Sequence, residues 1–179
     1  MRLGRNKLAG AVAAAAGLFF VLATAPQAQA YGYYGTTTIR NGNSGLCLEV
    51  ADWSTANGAP VRQWPCTGGA NQQWDYNYVY VGAYIDGAQL INRNSGKCLE
   101  IADWRTDNGA PARQWDCSGG ANQTWQMSDS GITEPPKVIW NRHSGDCLEI
   151  ADWRKDWGAP ARQWDCSGGA NQKWHYYYD

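Results

Sequence analysis

Three times in this 179-residue chain a glutamate stands two positions after a cysteine, and an arginine and a tryptophan stand four and two positions before the next cysteine. The sets are Glu49, Arg62 and Trp64; Glu100, Arg113 and Trp115; Glu149, Arg162 and Trp164. Asn71, Asn122 and Asn171 follow a short Gly-Gly loop after each second cysteine. A carboxylate, a guanidinium, a flat ring and an amide can hold a polar ligand by hydrogen bonds and ring contact. Bond-breaking chemistry is the other option to weigh. Glycoside hydrolysis needs two carboxylates across the scissile bond, and Glu49 with Asp52 is the formal candidate. Arg62 as a neighbour would lower the pKa of Glu49 and spoil it as an acid. His143 and His175 are the only histidines and stand in no Ser/His/Asp or metal-ligand pattern, so they read as surface or packing residues. No catalytic residue, cofactor or metal site is expected.

The candidates lie in a stretch, 47–74, that is written again at 98–125 and 147–174. Copies two and three differ at three positions, and copies one and two at seven. A period near 50 residues marks a repeat architecture. Kelch blades share that period, but a propeller closes with about four to eight blades. Solenoids need atypical end caps, for which few residues remain. Three similar units without caps predict closure about a three-fold axis. Turn chemistry punctuates each unit: Asn-Ser-Gly or His-Ser-Gly before the first cysteine, then Gly-Ala-Pro, then Gly-Gly-Ala-Asn. Short strands are expected between these turns, in copy one at Cys47–Val50, Val61–Trp64 and 72–74. The less regular connectors 75–87 and 126–136 are expected to carry a fourth strand and the crossing to the next unit. No long helical period follows residue 30, so the chain reads as all-β.

In a strand, alternate residues share a face. Leu48 and Val50 are expected to face the core, with Cys47 and Glu49 opposite; Arg62, Trp64 and Cys66 share a face of the next strand. A bridge between Cys47 and Cys66 would bring Glu49, Arg62 and Trp64 into one patch, with Asn71 and Gln72 at its edge. Each copy would then build one concavity. Asp52-Trp53, Asp103-Trp104 and Asp152-Trp153 also recur. They read as fixing the turn after the first strand, with a second carboxylate and ring for each pocket as the alternative. Trp157 stands where the other copies have Asn57 and Asn108, and is expected to vary the rim of the third site.

The six cysteines Cys47, Cys66, Cys98, Cys117, Cys147 and Cys166 lie in the repeats, nineteen apart within each copy. Equivalent copies reduce the 15 connectivities of six cysteines to three. Pairing within each copy closes the shortest loops, and each bridge would contribute roughly 3 kcal/mol on the loop-entropy model. Zinc is the competing reading, but it favours closer pairs. Arg2, Arg5 and Lys7, an apolar run at 8–25 and Ala28-Gln29-Ala30 read as a secretory signal peptide over 1–30, and export favours oxidation. A membrane anchor is the alternative; no stop-transfer charges and no second apolar run follow, so no membrane insertion is expected. Residues 31–179 then form one domain, with repeats at about 36–86, 87–136 and 137–179. Removing the three leader cations from 15 basic residues leaves 12 against 16 acidic ones, a net charge of −4. Nucleic-acid binders are normally basic, so no nucleic-acid partner is expected.

The spacing Cys-Leu-Glu, Arg-Gln-Trp-x-Cys and Asn-Gln-x-Trp, in register with three cysteine pairs, resembles the ricin-type β-trefoil lectin domain, also called carbohydrate-binding module family 13. The likeness covers essentially all of 31–179, with Gln-x-Trp at Gln72/Trp74, Gln123/Trp125 and Gln172/Trp174. It implies a β-trefoil of about twelve strands, four per unit, with a six-stranded barrel capped by three hairpins. It implies that Trp74, Trp125 and Trp174 are core residues. The sugar pocket it implies uses an aspartate two residues after the first cysteine, a glutamine four before the second, an aromatic two before it, and the Asn of Asn-Gln-x-Trp. Trp64, Trp115 and Trp164 match the stacking aromatic, and Asn71, Asn122 and Asn171 the amide. Glu49, Glu100 and Glu149 replace the aspartate, and Arg62, Arg113 and Arg162 the glutamine. Glutamate keeps the acceptors but moves them one methylene outward, and arginine supplies donors only. Two outcomes stay open: the arginine holds the glutamate and donates to an acceptor-rich or carboxylate-bearing sugar, or the two pair and fill the pocket.

These readings point to a secreted, extracellular, monomeric carbohydrate-binding protein. It would carry up to three equivalent sites for glycans or polysaccharides and no enzymatic activity. No residues remain for a catalytic domain, so the binding domain is expected to be the whole product. The competing reading is a trefoil that binds protein, as a lectin-like subunit of a secreted assembly or an inhibitor. The tyrosine-rich ends, 31–34 and 176–178, are expected to be edge strands that close the body, or an adhesive surface.

Overall fold

The computed structural model describes residues 32–128 and 136–178; the leader expected over 1–30 and part of the connector at 126–136 lie outside the described residues. Twelve strands alternate with six single 3₁₀ turns: β1 Gly32–Asn41, β2 Cys47–Val50, β3 Val61–Trp64, β4 Gln73–Val81, β5 Tyr84–Asn92, β6 Cys98–Ile101, β7 Ala112–Trp115, β8 Trp125–Met127, β9 Lys137–Asn141, β10 Cys147–Ile150, β11 Ala161–Trp164 and β12 Lys173–Tyr178. Antiparallel pairing runs β1–β4–β5–β8–β9–β12 and back to β1, a closed ring of six strands with no free edge. The other six form three hairpins, β2–β3, β6–β7 and β10–β11. Each hairpin is tied to the ring by one pair: Arg40↔Cys47, Ile91↔Cys98 or Trp140↔Cys147. The chain is a β-trefoil.

The core repeats with the sequence. Leu48, Leu99 and Leu148 and the rings of Trp74, Trp125 and Trp174 are fully buried. A buried indole N–H needs an acceptor, and each of these donates to the carbonyl of the leucine in its own copy, at 3.0, 2.9 and 3.0 Å. The middle residue of each Arg-Gln-Trp closes the three-fold ring. Gln63 Nε2 donates to the carbonyls of Arg154 and Asp156, Gln114 to those of Ser54 and Ala56, and Gln163 to those of Arg105 and Asp107. Their Oε1 atoms accept from Ser44, Ser95 and Ser144. These amides are completely buried and bonded at both ends, so each unit is fastened to another without leaving a polar group unpaired.

Several local expectations need correction. Gln72 does not open a strand: Ala70–Gln72 is a 3₁₀ turn and β4 starts at Gln73. The connector 75–87 does carry the expected fourth strand and the crossing to the next unit. It is the outer part of a long β4–β5 hairpin with one register shift between Val79 and Tyr80. Cys47 and Glu49 do not reach a wet face; all four residues of β2 are buried, because the loop after Cys66 folds back over them. The C-terminal tyrosines lie in β12, which closes the barrel by pairing Tyr176, Tyr177 and Tyr178 with Ile39, Thr38 and Thr37. Among the described residues no helix is long and apolar enough to cross a membrane.

Candidate functional site

Hairpin register sets the first contact. Glu49 faces Arg62 across β2–β3, Glu100 faces Arg113 across β6–β7, and Glu149 faces Arg162 across β10–β11. All six cysteines are paired within their own copies, Cys47–Cys66, Cys98–Cys117 and Cys147–Cys166, each with Cα atoms 5.1 Å apart. Each bridge ties the end of the second hairpin strand to the start of the first, so the following Gly-Gly loop arches back over the glutamate. Gln72 pins that arch: its Nε2 donates to the Pro65 carbonyl and its Oε1 accepts from Thr67 N–H. Gln123 and Gln172 do the same in the other copies.

The glutamate is therefore an internal anchor. Glu49 Oε1 accepts from Arg62 Nε at 2.9 Å, and Oε2 from Asn71 Nδ2 at 3.2 Å and Gln72 Nε2 at 3.0 Å. Glu100 and Glu149 accept the matching three bonds between 2.8 and 3.3 Å. A buried carboxylate persists only when it is paired and its lone pairs are used. The extra methylene does not carry the acceptors toward ligand; it turns them under the loop, where three donors converge.

The open surface is built from residues read mainly as turn-formers. Asp52 and Trp53 both adopt left-handed backbone, with φ of 54° and 55°, and the Asp-Trp pairs at 103–104 and 152–153 have φ of 55–56°. Such a conformation costs roughly 1–2 kcal/mol per residue, and strain of this kind gathers at functional sites. Arg62 Nη2 holds Asp52 Oδ1 at 2.9 Å, and Asn94 of the next copy donates to the Trp53 carbonyl at 3.0 Å. His143 occupies the place of Asn94 against Trp104, with Nε2 at 3.1 Å from that carbonyl.

In copy one these residues surround a concavity of about 190 Å³ lined by Glu49, Asp52, Trp53, Arg62, Trp64, Thr67 and Asn71. Asp52 projects into solvent, and Trp53 is 55% exposed. Trp115 and Trp164 are 38% and 37% exposed, and Trp64 is half-buried. Arg62, Arg113 and Arg162 lie over these rings at 4.5, 4.5 and 4.3 Å from the centroids. Burial works against the charge of Arg62, but the bonds to Glu49 and Asp52 prevail and hold its pKa above the ordinary value; the same balance applies at Arg113. Asn71, Asn122 and Asn171 each keep a buried Oδ1 without a partner, although their Nδ2 atoms are used twice. Two carboxylates against one guanidinium leave each site one negative charge.

The structure thus brings all twelve candidates together, four per copy, and adds Asp52-Trp53, Asp103-Trp104 and Asp152-Trp153 to the rim. The signal for those pairs was their strict repetition. Their exposure depends on the left-handed turn, which spacing does not reveal. Trp157 is placed elsewhere than expected: it meets Trp64 of copy one, with ring centroids 5.8 Å apart. A larger concavity of about 350 Å³ between β5, β8 and β9 holds none of the repeated candidates.

A closed barrel with three capping hairpins, each carrying the same Glu-Arg-Trp-Asn cluster, defines the class of β-trefoil domains. A ricin-type beta-trefoil lectin domain-like profile matches residues 26–85 and 84–134, and the chain belongs to that family. It is 31% identical over 123 residues to Serine protease 1 of Rarobacter faecitabidus, across 50% of this chain and 23% of the protease. The designed three-fold symmetric protein ThreeFoil superposes with a TM-score of 0.73 at 37% identity, covering 82% of this chain and 99% of ThreeFoil. The exo-β-1,3-galactanase 1,3Gal43A of Clostridium thermocellum superposes with a TM-score of 0.73 at 32% identity, covering 81% of this chain and 30% of the enzyme. The chain spans less than a quarter of the length of the curated relatives it matches.

Proposed function

We propose that this chain is a secreted, monomeric lectin with three repeated sites that bind neutral, hydroxyl-rich glycans multivalently. One observation carries the reading: each copy sets an exposed carboxylate, held by its arginine, beside an exposed indole ring. Asp52 accepts from sugar hydroxyls, the remaining N–H groups of Arg62 donate, and Trp53 and Trp64 contact the apolar face of the ring. Glu49 acts through Arg62, Asn71 and Gln72, which it orients. The negative charge of each site disfavours uronic-acid chains. Secretion rests on the leader-like segment at 1–30. The chain is not an enzyme in this reading, because Glu49 is occupied by three donors and no second carboxylate faces it across an open bond.

The test is binding of the mature protein to β-1,3-galactan, xylan and polygalacturonate beside their monosaccharides. A single shallow site binds at about millimolar Kd, and three on one rigid body raise the apparent affinity for a polymer by about 10²–10⁴. Neutral polymer should therefore bind far better than monosaccharide and better than polygalacturonate. Equal affinities for polymer and monosaccharide contradict three working sites. The protein-binding alternative is favoured by the β4–β5 hairpin tip, which exposes Val81, Tyr84 and Ile85. Capture of a protein partner that free sugar does not displace would support it.

A further inference from the structure

The three unit boundaries are not alike. At two of them an asparagine and an aspartate pair: Asn57 Nδ2 donates to Asp116 Oδ2 at 2.7 Å, and Asp116 N–H donates back to Asn57 Oδ1 at 3.0 Å. Asn108 and Asp165 repeat this at 2.8 and 2.7 Å. At the third boundary the corresponding residues are Trp157 and Pro65. Both halves changed in step. Proline has neither a carboxylate to accept nor an N–H to return, so an asparagine at 157 would lose both bonds, and an apolar ring takes the place instead.

That ring is not buried by the exchange. Trp157 remains 66% exposed while it leans on Trp64, with centroids 5.8 Å apart and planes inclined by 54°. Trp64 is a wall of the copy-one concavity. A packing residue would be expected to lose most of its surface, whereas this one extends an aromatic wall outward. At the other two boundaries the polar Asn57–Asp116 and Asn108–Asp165 pairs stand in its place.

We infer that Trp157 forms an additional subsite beside the copy-one concavity, taking the second or third residue of a neutral glycan chain whose first residue lies against Trp53 and Trp64. This rests on the proposed lectin reading and deepens it: one of the three sites is a chain-reading site, and the other two are single-residue sites.

The probe pair is galactose and β-1,3-galactotriose, followed on the intact chain through ¹⁵N-indole signals, one per tryptophan. Trp74, Trp125 and Trp174 serve as silent controls. Galactotriose should shift Trp53, Trp64, Trp104, Trp115, Trp153, Trp164 and Trp157, and galactose should shift all of these except Trp157. The Pro65→Asp/Trp157→Asn variant rebuilds the polar pair already present at two boundaries. It should lower trisaccharide affinity at Trp64 about ten-fold, to the level of the other copies, and leave galactose affinity unchanged. If Trp64 responds to the trisaccharide while Trp157 stays still, or if the variant binds trisaccharide like the parent, the subsite is overturned and the lectin reading stands. If no indole responds to either sugar, the lectin reading falls and the subsite falls with it.

Discussion

The Trp53 ring rests on Gly69: a Cβ at that glycine would stand 2.6 Å from Trp53 Cζ2 and 2.8 Å from Asn71 Oδ1. Gly120 and Gly169 hold Trp104 and Trp153 in the same way. Gly69 has ordinary backbone, with φ of −67°, so conformational freedom is not its purpose. It gives the rim ring room to lie over the amide. Gly69→Ala should push Trp53 aside and cut copy-one glycan binding at least ten-fold. The overpacking penalty should be about 1–3 kcal/mol. Site-resolved titration beside thermal unfolding checks both.

Arg62 is required by the fold as well as the site. Arg62→Met leaves Glu49 buried with two amide donors and no cation, which should cost about 3–5 kcal/mol in urea unfolding. Adding Glu49→Leu should recover much of that loss, the signature of a coupled pair. Asp52→Asn removes an exposed charge and should change stability by less than about 0.5 kcal/mol.

Trp53 is strained and exposed, so stability and binding should separate there. Trp53→Gly relieves a left-handed residue and should melt within about 1 kcal/mol of the parent, or above it. The same change should abolish glycan binding at copy one. Loss of stability matching the loss of binding would show that the ring is a structural strut.

Tyr76 predicts an alkaline limit. Burial, reinforced by the neighbouring Tyr176, pushes its phenol well above the ordinary value, and its hydroxyl donates to Met127 Sδ at 2.9 Å. In the unfolded chain that phenol ionises near pH 10. Between the two values the folded state holds the extra proton, so stability is full below about pH 10 and falls as pH rises beyond it. Tyr76→Phe should flatten that decline, as measured by urea unfolding across the alkaline range.

The fold was legible because its determinants are local and written three times: cysteines at fixed separation, a Gln-x-Trp core mark and glycine-rich turns. The patch of Glu49, Arg62, Trp64 and Asn71 followed from strand parity and one disulfide. Three things were not legible. The inward turn of Glu49 depends on donors converging from the loop at 67–72, whose path spacing does not fix. The exposure of Asp52-Trp53 depends on a strained backbone that residue preference argues against. Trp157 lies in copy three but meets copy one, because the units are fastened in a ring through Gln63, Gln114 and Gln163; only the closed arrangement shows which neighbour it touches.

The central claim is that the three hairpin concavities are the binding surface, and the Trp64→Ala/Trp115→Ala/Trp164→Ala protein tests it most directly. These rings lie at the rim, whereas Trp74, Trp125 and Trp174 are fully buried and their loss should damage folding by about 3–5 kcal/mol each. Thermal unfolding and β-1,3-galactan pull-down are measured together on parent and triple variant. The account predicts a variant that stays folded and no longer binds the polymer. A variant that melts like the parent and still binds would contradict the placement of the sites.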